Sequence, residues 1–522
     1  MDEEGEDFRT LGVKTAKGST IYLTGQAVNA LISLLIVIYL ARTLKPEFYG
    51  IYTIVMAYSL VIGMGGNFGI GTAFRKMIPE TVKEKERVRS IISNGAVVSL
   101  GVAAIIALAG VIASPYIASF VYHNASITLP LRIAALATLL AVLLNAGQAA
   151  LVGMHRTREA TTANISYNSV QLVLVVLLIT AGYGVLGAMA AYAASLAIGS
   201  LVAFGYIARE IGPKIAGIER KVMRELTSFS IPIVVSNVAT TGLLNFAPML
   251  LGVFAGAAIV GNYGVALKGS RFVDMMIQSS TFVLLASFSA LLSKEAIKNK
   301  IGSAFNSSVY YASLIFLPLI AYMIGSAYPL VYLLFSHAYT LAPVYVSIAL
   351  AGLSAEIVWS IGSALVLGHG NSRRFMQYQL TIVAIELAAL LILTPLYKAY
   401  GAIFAVFIIA PIAASSLYAR LLGKEFGVKL SLSGPAKIGA ASIVLALLLL
   451  GVTFAMHDSK YAIAVNALLL LAIYPALLSA FRAISAKQLE FIRDAAASMR
   501  GAGRLVSPYL SYMEFLNKGI KK

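Results

Sequence analysis

The sequence predicts an all-α polytopic membrane protein with about fourteen transmembrane helices. Three observations lead there. Of 522 residues, 59% are hydrophobic and 12% charged, with a mean hydropathy of +0.85; soluble domains carry roughly 25% charge. Apolar runs of spanning length recur along the chain, and a spanning helix needs about 20 such residues. Basic residues also concentrate in alternate connections, as expected when Lys and Arg stay on the cytoplasmic side.

The predicted spans occupy residues 17–41, 48–74, 90–112, 129–152, 160–181, 184–208, 226–254, 262–290, 301–325, 342–367, 375–396, 401–421, 436–455 and 461–481. The pair 160–181 and 184–208 is separated only by Gly182 and Tyr183. With the N-terminus inside, 33 of the 40 Lys and Arg fall in cytoplasmic segments. Five (Arg42, Lys45, Arg132, Lys398 and Lys460) fall outside, and Lys268 and Arg271 lie within a span. This predicts both termini in the cytoplasm, in the cytoplasmic (plasma) membrane. The net charge of +18 therefore reads as loop bias, with no nucleic acid implied. The start is acidic, so the first span reads as an uncleaved helix. Near the other end, Leu489, Ile492, Ala496 and Met499 share a helical face, which suits either a helix on the inner leaflet or a solvated tail.

An internal repeat orders the spans. Phe48-Tyr49-Gly50-Ile51-Tyr52 is echoed by Ile259-Val260-Gly261-Asn262-Tyr263 at an offset of 211, and Gly153-Met154-His155-Arg156 by Leu367-Gly368-His369-Gly370 at 214. The expected architecture is two six-helix lobes, 1–210 and 211–425, related by a pseudo-twofold axis along the membrane normal. Two extra transmembrane helices (426–484) and a cytoplasmic amphipathic tail (485–522) follow.

Charges inside spans mark candidate sites. Lys268, Arg271 and Asp274 follow at i, i+3, i+6, roughly 10 to 20 Å into a ~30 Å core. A basic residue at such depth costs about 3 kcal/mol on insertion scales, which argues for a watered cavity. The bland alternative is an Arg271–Asp274 ion pair with Lys268 snorkelling outward. The triad keeps one net positive charge, which an anionic ligand would complete. Glu356 and Glu386 fall mid-span, where a carboxyl either exchanges H+ or Na+ or merely joins helices through a hydrogen bond. Asn29, Asn168, Asn237 and Asn245, with Gln26, Asn67, Asn145, Gln148, Asn164, Gln171, Thr240 and Thr241, either line a hydrophilic cavity or bond neighbouring helices. Pro232 and Pro248 predict a bend in the seventh span.

Several functions are argued against. With no cysteine, disulfides and thiolate chemistry are excluded. The nucleotide-binding Gly-x-x-x-x-Gly-Lys-Ser/Thr run is absent, five histidines form no ligand cluster, and external acids are few. No cofactor or metal is expected, and transport is favoured over catalysis. The second loop reads Arg75-Lys76-Met77-Ile78-Pro79-Glu80, which excludes the major-facilitator pattern.

The run Leu40-Ala41-Arg42-Thr43-Leu44-Lys45-Pro46-Glu47-Phe48-Tyr49-Gly50-Ile51-Tyr52 resembles the opening signature of polysaccharide-type flippases of the multidrug/oligosaccharidyl-lipid/polysaccharide (MOP) exporter superfamily. Supporting matches are Phe68-Gly69-Ile70-Gly71-Thr72-Ala73-Phe74-Arg75 and Gly261-Asn262-Tyr263-Gly264-Val265-Ala266-Leu267-Lys268. The resemblance implies alternating-access translocation of a lipid-(pyro)phosphate-linked oligosaccharide, for cell-surface polysaccharide or glycoprotein assembly. Lys268 and Arg271 would attract the phosphate. Arg75 would receive it first, or serve only as a positive-inside anchor. H+ or Na+, membrane lipids, and glycosyltransferases or a polymerase would be partners. The rival readings are an ion-coupled multidrug exporter of the same superfamily and a non-transporting membrane scaffold.

Overall fold

The computed structural model describes residues 2–66, 69–292, 301–369, 372–498, 511–513 and 516, with side chains undescribed at 2–23, 232–244, 280, 282–283, 285–287, 289–292, 372–373, 487 and 495–498. Among the described residues the chain is helical and without strands. The helices are α1 (Asp2–Gly66), α2 (Ile70–Glu80), α3 (Lys85–Tyr116), α4 (Thr128–Gly153), α5 (Thr157–Thr180), α6 (Gly184–Ile211), α7 (Arg220–Phe254) and α8 (Ala257–Leu292). They continue as α9 (Ile301–Gly325), α10 (Ala327–Leu334), α11 (Ala342–Gly368), α12 (Ser372–Ile403), α13 (Ala410–Phe426), α14 (Ser433–Ala455), α15 (Tyr461–Ala480) and α16 (Ala486–Ser498). Ten helices among the described residues are long and apolar enough to cross a membrane.

Two of these are long enough for two crossings, and each breaks where the sequence changes character. In α1 the break is Lys45 (φ 60, ψ 173), which precedes Pro46. A proline lacks the helical N–H and drives the residue before it out of the α region. In α12 it is Lys398 (φ 51, ψ −126). The predicted span 48–74 is interrupted: α1 ends at Gly66, and Gly69 (φ 63, ψ 1) precedes α2. The nearly fused pair 160–181 and 184–208 proves to be α5 and α6, parted by Gly182 (φ 89) and Gly184 (φ 50). The backbone of α7 stays helical through Pro232 and Pro248.

Contacts divide the chain into two compact units, Met1–Gly264 and Val265–Lys522, with the division inside α8. In the first, α2, α3, α4, α6 and α7 meet around Phe74, Ile78, Ile91, Ala149, Ala203 and Leu226, all buried. In the second, α9, α14 and α15 share a cluster with Ile438, Leu445, Leu449, Tyr474 and Leu478. Leu489 of α16 is buried in that cluster, and Phe491 stacks on Tyr311 at 5.0 Å. Protein, not lipid, thus covers part of the apolar face of α16.

The repeat reappears in hydrogen bonds. In the first unit Asn94 donates to the Gly217 carbonyl (3.2 Å) and accepts from the Glu219 amide (2.8 Å). In the second, Asn306 donates to the Lys429 carbonyl (3.0 Å) and accepts from the Ser431 amide (2.9 Å), every position displaced by 212. Ser200 donates to Leu140 O on α4 (3.2 Å), and Ser415 to Ala355 O on α11 (2.5 Å), an offset of 215. Gly184 (φ 50) and Lys398 (φ 51) both have a positive φ, at an offset of 214.

Within the first unit, α1 crosses the start of α8 at the echoed glycines. A Cβ on Gly50 would stand 1.8 Å from the Ala257 carbonyl oxygen, and one on Gly261 would stand 2.0 Å from that of Pro46. Pro46 and Ala257 are themselves 211 apart, so the crossing is self-complementary: 50 meets 257 as 261 meets 46. Only a side chain without Cβ allows two helix backbones so close.

Candidate functional site

The polar side chains of the spans separate by chemistry. In the first unit they are amides and hydroxyls. Asn168 of α5 donates to Asn29 Oδ1 of α1 (3.2 Å) and to Asn164 O (3.1 Å), while Ser33 donates to Asn168 Oδ1 (3.3 Å). Asn29, Asn168 and Gln171 are all buried. The cluster ties α1 to α5, since an amide in an apolar interior must find a partner. Asn29 Nδ2 is buried with no hydrogen-bond partner among the described residues. Arg75 lies exposed on α2, and Asn245 is half-buried on α7. The side chain of Asn237 lies outside the described residues.

The ionisable groups lie in the second unit. Lys268 and Arg271 are exposed at the surface of α8. Arg271 Nη1 donates to Asp274 Oδ2 at 2.8 Å, the ion pair that the i, i+3 spacing permits. The pair leaves Lys268 one turn away, with no acidic partner among the described residues. One turn beyond Asp274, Gln278 Nε2 donates to Glu356 Oε1 of α11 at 2.8 Å. Glu356 is 5% exposed and also interacts with Asp274 and Arg271. Four side chains, Arg271, Asp274, Gln278 and Glu356, therefore form one network between α8 and α11.

Gln278 was missed by reading the sequence for charges alone. Its position, i+4 from Asp274 and i+7 from Arg271, continues the same helical face and could have found it. Glu386 of α12 stands outside that network: it is 8% exposed, and its Oε1 has no hydrogen-bond partner among the described residues. Among the described residues no three His, Cys, Asp or Glu are placed to hold a metal ion.

Ion pairs gather instead at the ends of helices. Arg87 meets Glu225 (3.3 Å) and Glu219 (3.7 Å), and Arg156 meets Glu210 (2.7 Å). The Glu210 carboxylate holds the Arg156 guanidinium above its ordinary pKa. These contacts tie the loops flanking α3, α5 and α7.

The fold is shared with known transporters. A structure described as the lipid II flippase MurJ in an inward closed conformation superposes with a TM-score of 0.69 at 15% identity, covering 88% of this chain and 98% of that one. An inward-facing multidrug resistance MATE family transporter of the MOP superfamily gives 0.62 at 16%, covering 76% and 95%. No curated protein matches by sequence. The model of the family described as polysaccharide biosynthesis protein matches residues 15–286, more than half the chain. With that match, the spanning helices and the shared fold, the chain belongs to the polysaccharide biosynthesis protein family, as a multi-pass membrane protein with the fold of the MOP transporters.

Proposed function

We propose that the protein is a flippase that moves a lipid-(pyro)phosphate-linked oligosaccharide across the cytoplasmic membrane by alternating access. The observation that carries this reading is a lysine and an arginine, both exposed, on one face of α8, with the lysine unneutralised among the described residues. A sugar headgroup with many hydroxyls loses roughly 2 to 7 kcal/mol per unpaired group on entering hydrocarbon, so unaided crossing is prohibitive. Lys268 and Arg271 would hold the phosphate, Arg75 would receive it at the cytoplasmic face, and Asn29, Asn168, Asn237 and Asn245 would meet the sugar. Asp274, Glu356 and Glu386 would carry the coupling ion, H+ or Na+. The lipid tail stays in the bilayer.

The recurring hydrogen bonds support a duplicated helical unit, and the proposed division remains two lobes, 1–210 and 211–425, followed by two extra helices (426–484) and a cytoplasmic tail (485–522). The basic loops support cytoplasmic termini. A lipid flippase among proteins of the same fold supports a lipid cargo, and glycosyltransferases or a polymerase would supply or consume it.

The test is flipping of a fluorescent lipid-linked oligosaccharide in proteoliposomes. A charge at contact is worth about 4 kcal/mol at an effective dielectric near 20, less where water screens it. Discounted to about 1.4 kcal/mol per exposed cation, Lys268→Gln and Arg271→Gln should each slow flipping roughly tenfold. An unchanged rate in the double variant overturns Lys268 and Arg271 as the phosphate site, and no flipping by the unaltered protein overturns the flippase and leaves the scaffold.

A further inference from the structure

A second polar site lies within the second unit, away from the α8–α11 network. A cavity of ≈ 1210 Å³ opens where α9 and α14 begin and α15 ends, roofed by α16. Its charged lining is Lys437, Arg482, Arg493 and Glu490, a net of two positive charges. Tyr310 and Tyr311 form one wall, and serines from α9 and from the stretches before α14 and α16 supply hydroxyls.

Three features make this a built site. Ser479, 2% exposed, lines the cavity with its Oγ lacking a hydrogen-bond partner among the described residues. Arg482 holds a left-handed backbone (φ 49), a conformation that favours glycine, yet a long cation is placed there. The wall is tied down, because the Tyr310 hydroxyl lies within donating distance of Ala483 O (2.8 Å) and of Gln488 Oε1 (3.1 Å), one of which takes its single proton. The first turn of α16 does not supply the attraction: Ser485 and Gln488 already cap it, with Ser485 N donating to Gln488 Oε1 at 2.8 Å. Charge does. Neither Lys437 nor Arg482 pairs with a carboxylate among the described residues.

Cations, hydroxyls and tyrosines at the ends of membrane helices match a phosphate ester at headgroup level, where anionic lipid attracts Lys and Arg by about 1 kcal/mol each. We infer that this cavity binds the phosphate headgroup of an anionic bilayer lipid, anchoring the α14–α16 segment to the surrounding membrane. The inference does not rest on the flippase reading, and its test needs no cargo.

Full-length protein in detergent is titrated with phosphatidylglycerol, phosphatidylcholine or inorganic phosphate, and bound lipid is counted by native mass spectrometry beside thermal unfolding. Phosphatidylglycerol should be retained at least tenfold more tightly than phosphatidylcholine and raise the unfolding temperature. Arg482→Gly, which suits the left-handed backbone and so should fold at least as well, should lose that preference, as should Lys437→Gln. Lys437→Arg should keep it. Equal retention of both lipids, or an unaltered preference in a folded Arg482→Gly protein, overturns the inference. Phosphate alone reproducing the full stabilisation overturns the lipid and leaves a soluble phosphate ester.

Discussion

The crossing of α1 and α8 makes a prediction whose sign is opposite to the usual one. Glycine to alanine inside an exposed helix ordinarily stabilises by up to about 1 kcal/mol, because alanine has less backbone freedom to lose. At Gly50 the new methyl would stand 1.8 Å from the Ala257 carbonyl oxygen, whereas real Cβ contacts essentially never fall under 3.0 Å. The helices must then separate by about 1.2 Å, and at Gly261 by about 1.0 Å. A gap of that size forfeits a quarter to a half of each dispersion contact along the seam, and overpacking typically costs about 1 to 3 kcal/mol. Each single change should therefore destabilise by about 2 kcal/mol. Because one separation accommodates both methyls, the double variant should cost well below the sum. The assay is thermal unfolding of the purified protein, with Gly101→Ala as control, since nothing lies within 4 Å of its added Cβ. If Gly50→Ala and Gly261→Ala behave like the control, or add, the close crossing is not what holds α1 to α8.

Three further outcomes follow from the hydrogen bonds. Asn94 and Asn306 make the same pair of backbone bonds, but Asn94 is 1% exposed and Asn306 half-buried. Asn94→Ala should cost about 3 kcal/mol and Asn306→Ala about 1 kcal/mol, read by denaturation in mixed micelles; equal costs would show that burial does not set the difference. Gln278→Leu should strip Glu356 of its 2.8 Å donor and destabilise by about 2 kcal/mol, whereas Glu356→Gln in the same background should recover part of that loss. A double-mutant cycle on Arg156 and Glu210, whose side chains are 46% and 39% exposed, should give a coupling below about 1 kcal/mol that fades with salt.

The all-helical architecture was legible because lipid imposes few solutions: runs of twenty apolar residues have to be helices. The breaks were legible too: Pro46 announces the one at Lys45, and Lys398 falls in the predicted connection between the spans 375–396 and 401–421, where it takes a positive φ, as Gly184 does, without being glycine. The Asn94 and Asn306 clamps escaped notice because their partners are backbone groups more than 120 residues away, which no side-chain pattern records. The i, i+3 spacing offered an Arg271–Asp274 ion pair as the bland alternative to a ligand site, and the structure realises that pair. Glu356 was found as a lone charge, while its donor Gln278 was overlooked for being neutral.

The hydrogen-bond offsets also show where the two copies diverge. At an offset of 211, Lys268, Arg271 and Asp274 correspond to Ala57, Leu60 and Gly63 of α1; at 215, Glu356 corresponds to Ala141 of α4. The buried face Gln171, Val175, Ile179 of α5 is matched by Glu386, Leu390, Thr394 of α12, again at 215. The scaffold is thus copied: the asparagine clamps, the serine bonds between helices and the paired glycines. The ionisable chemistry is not, for every one of these five groups has an uncharged counterpart. An ionisable side chain within a membrane span costs insertion energy, so a charged counterpart in the second copy would add to that cost. Confining these five groups to one copy limits it, while the neutral scaffold can be duplicated without such a penalty.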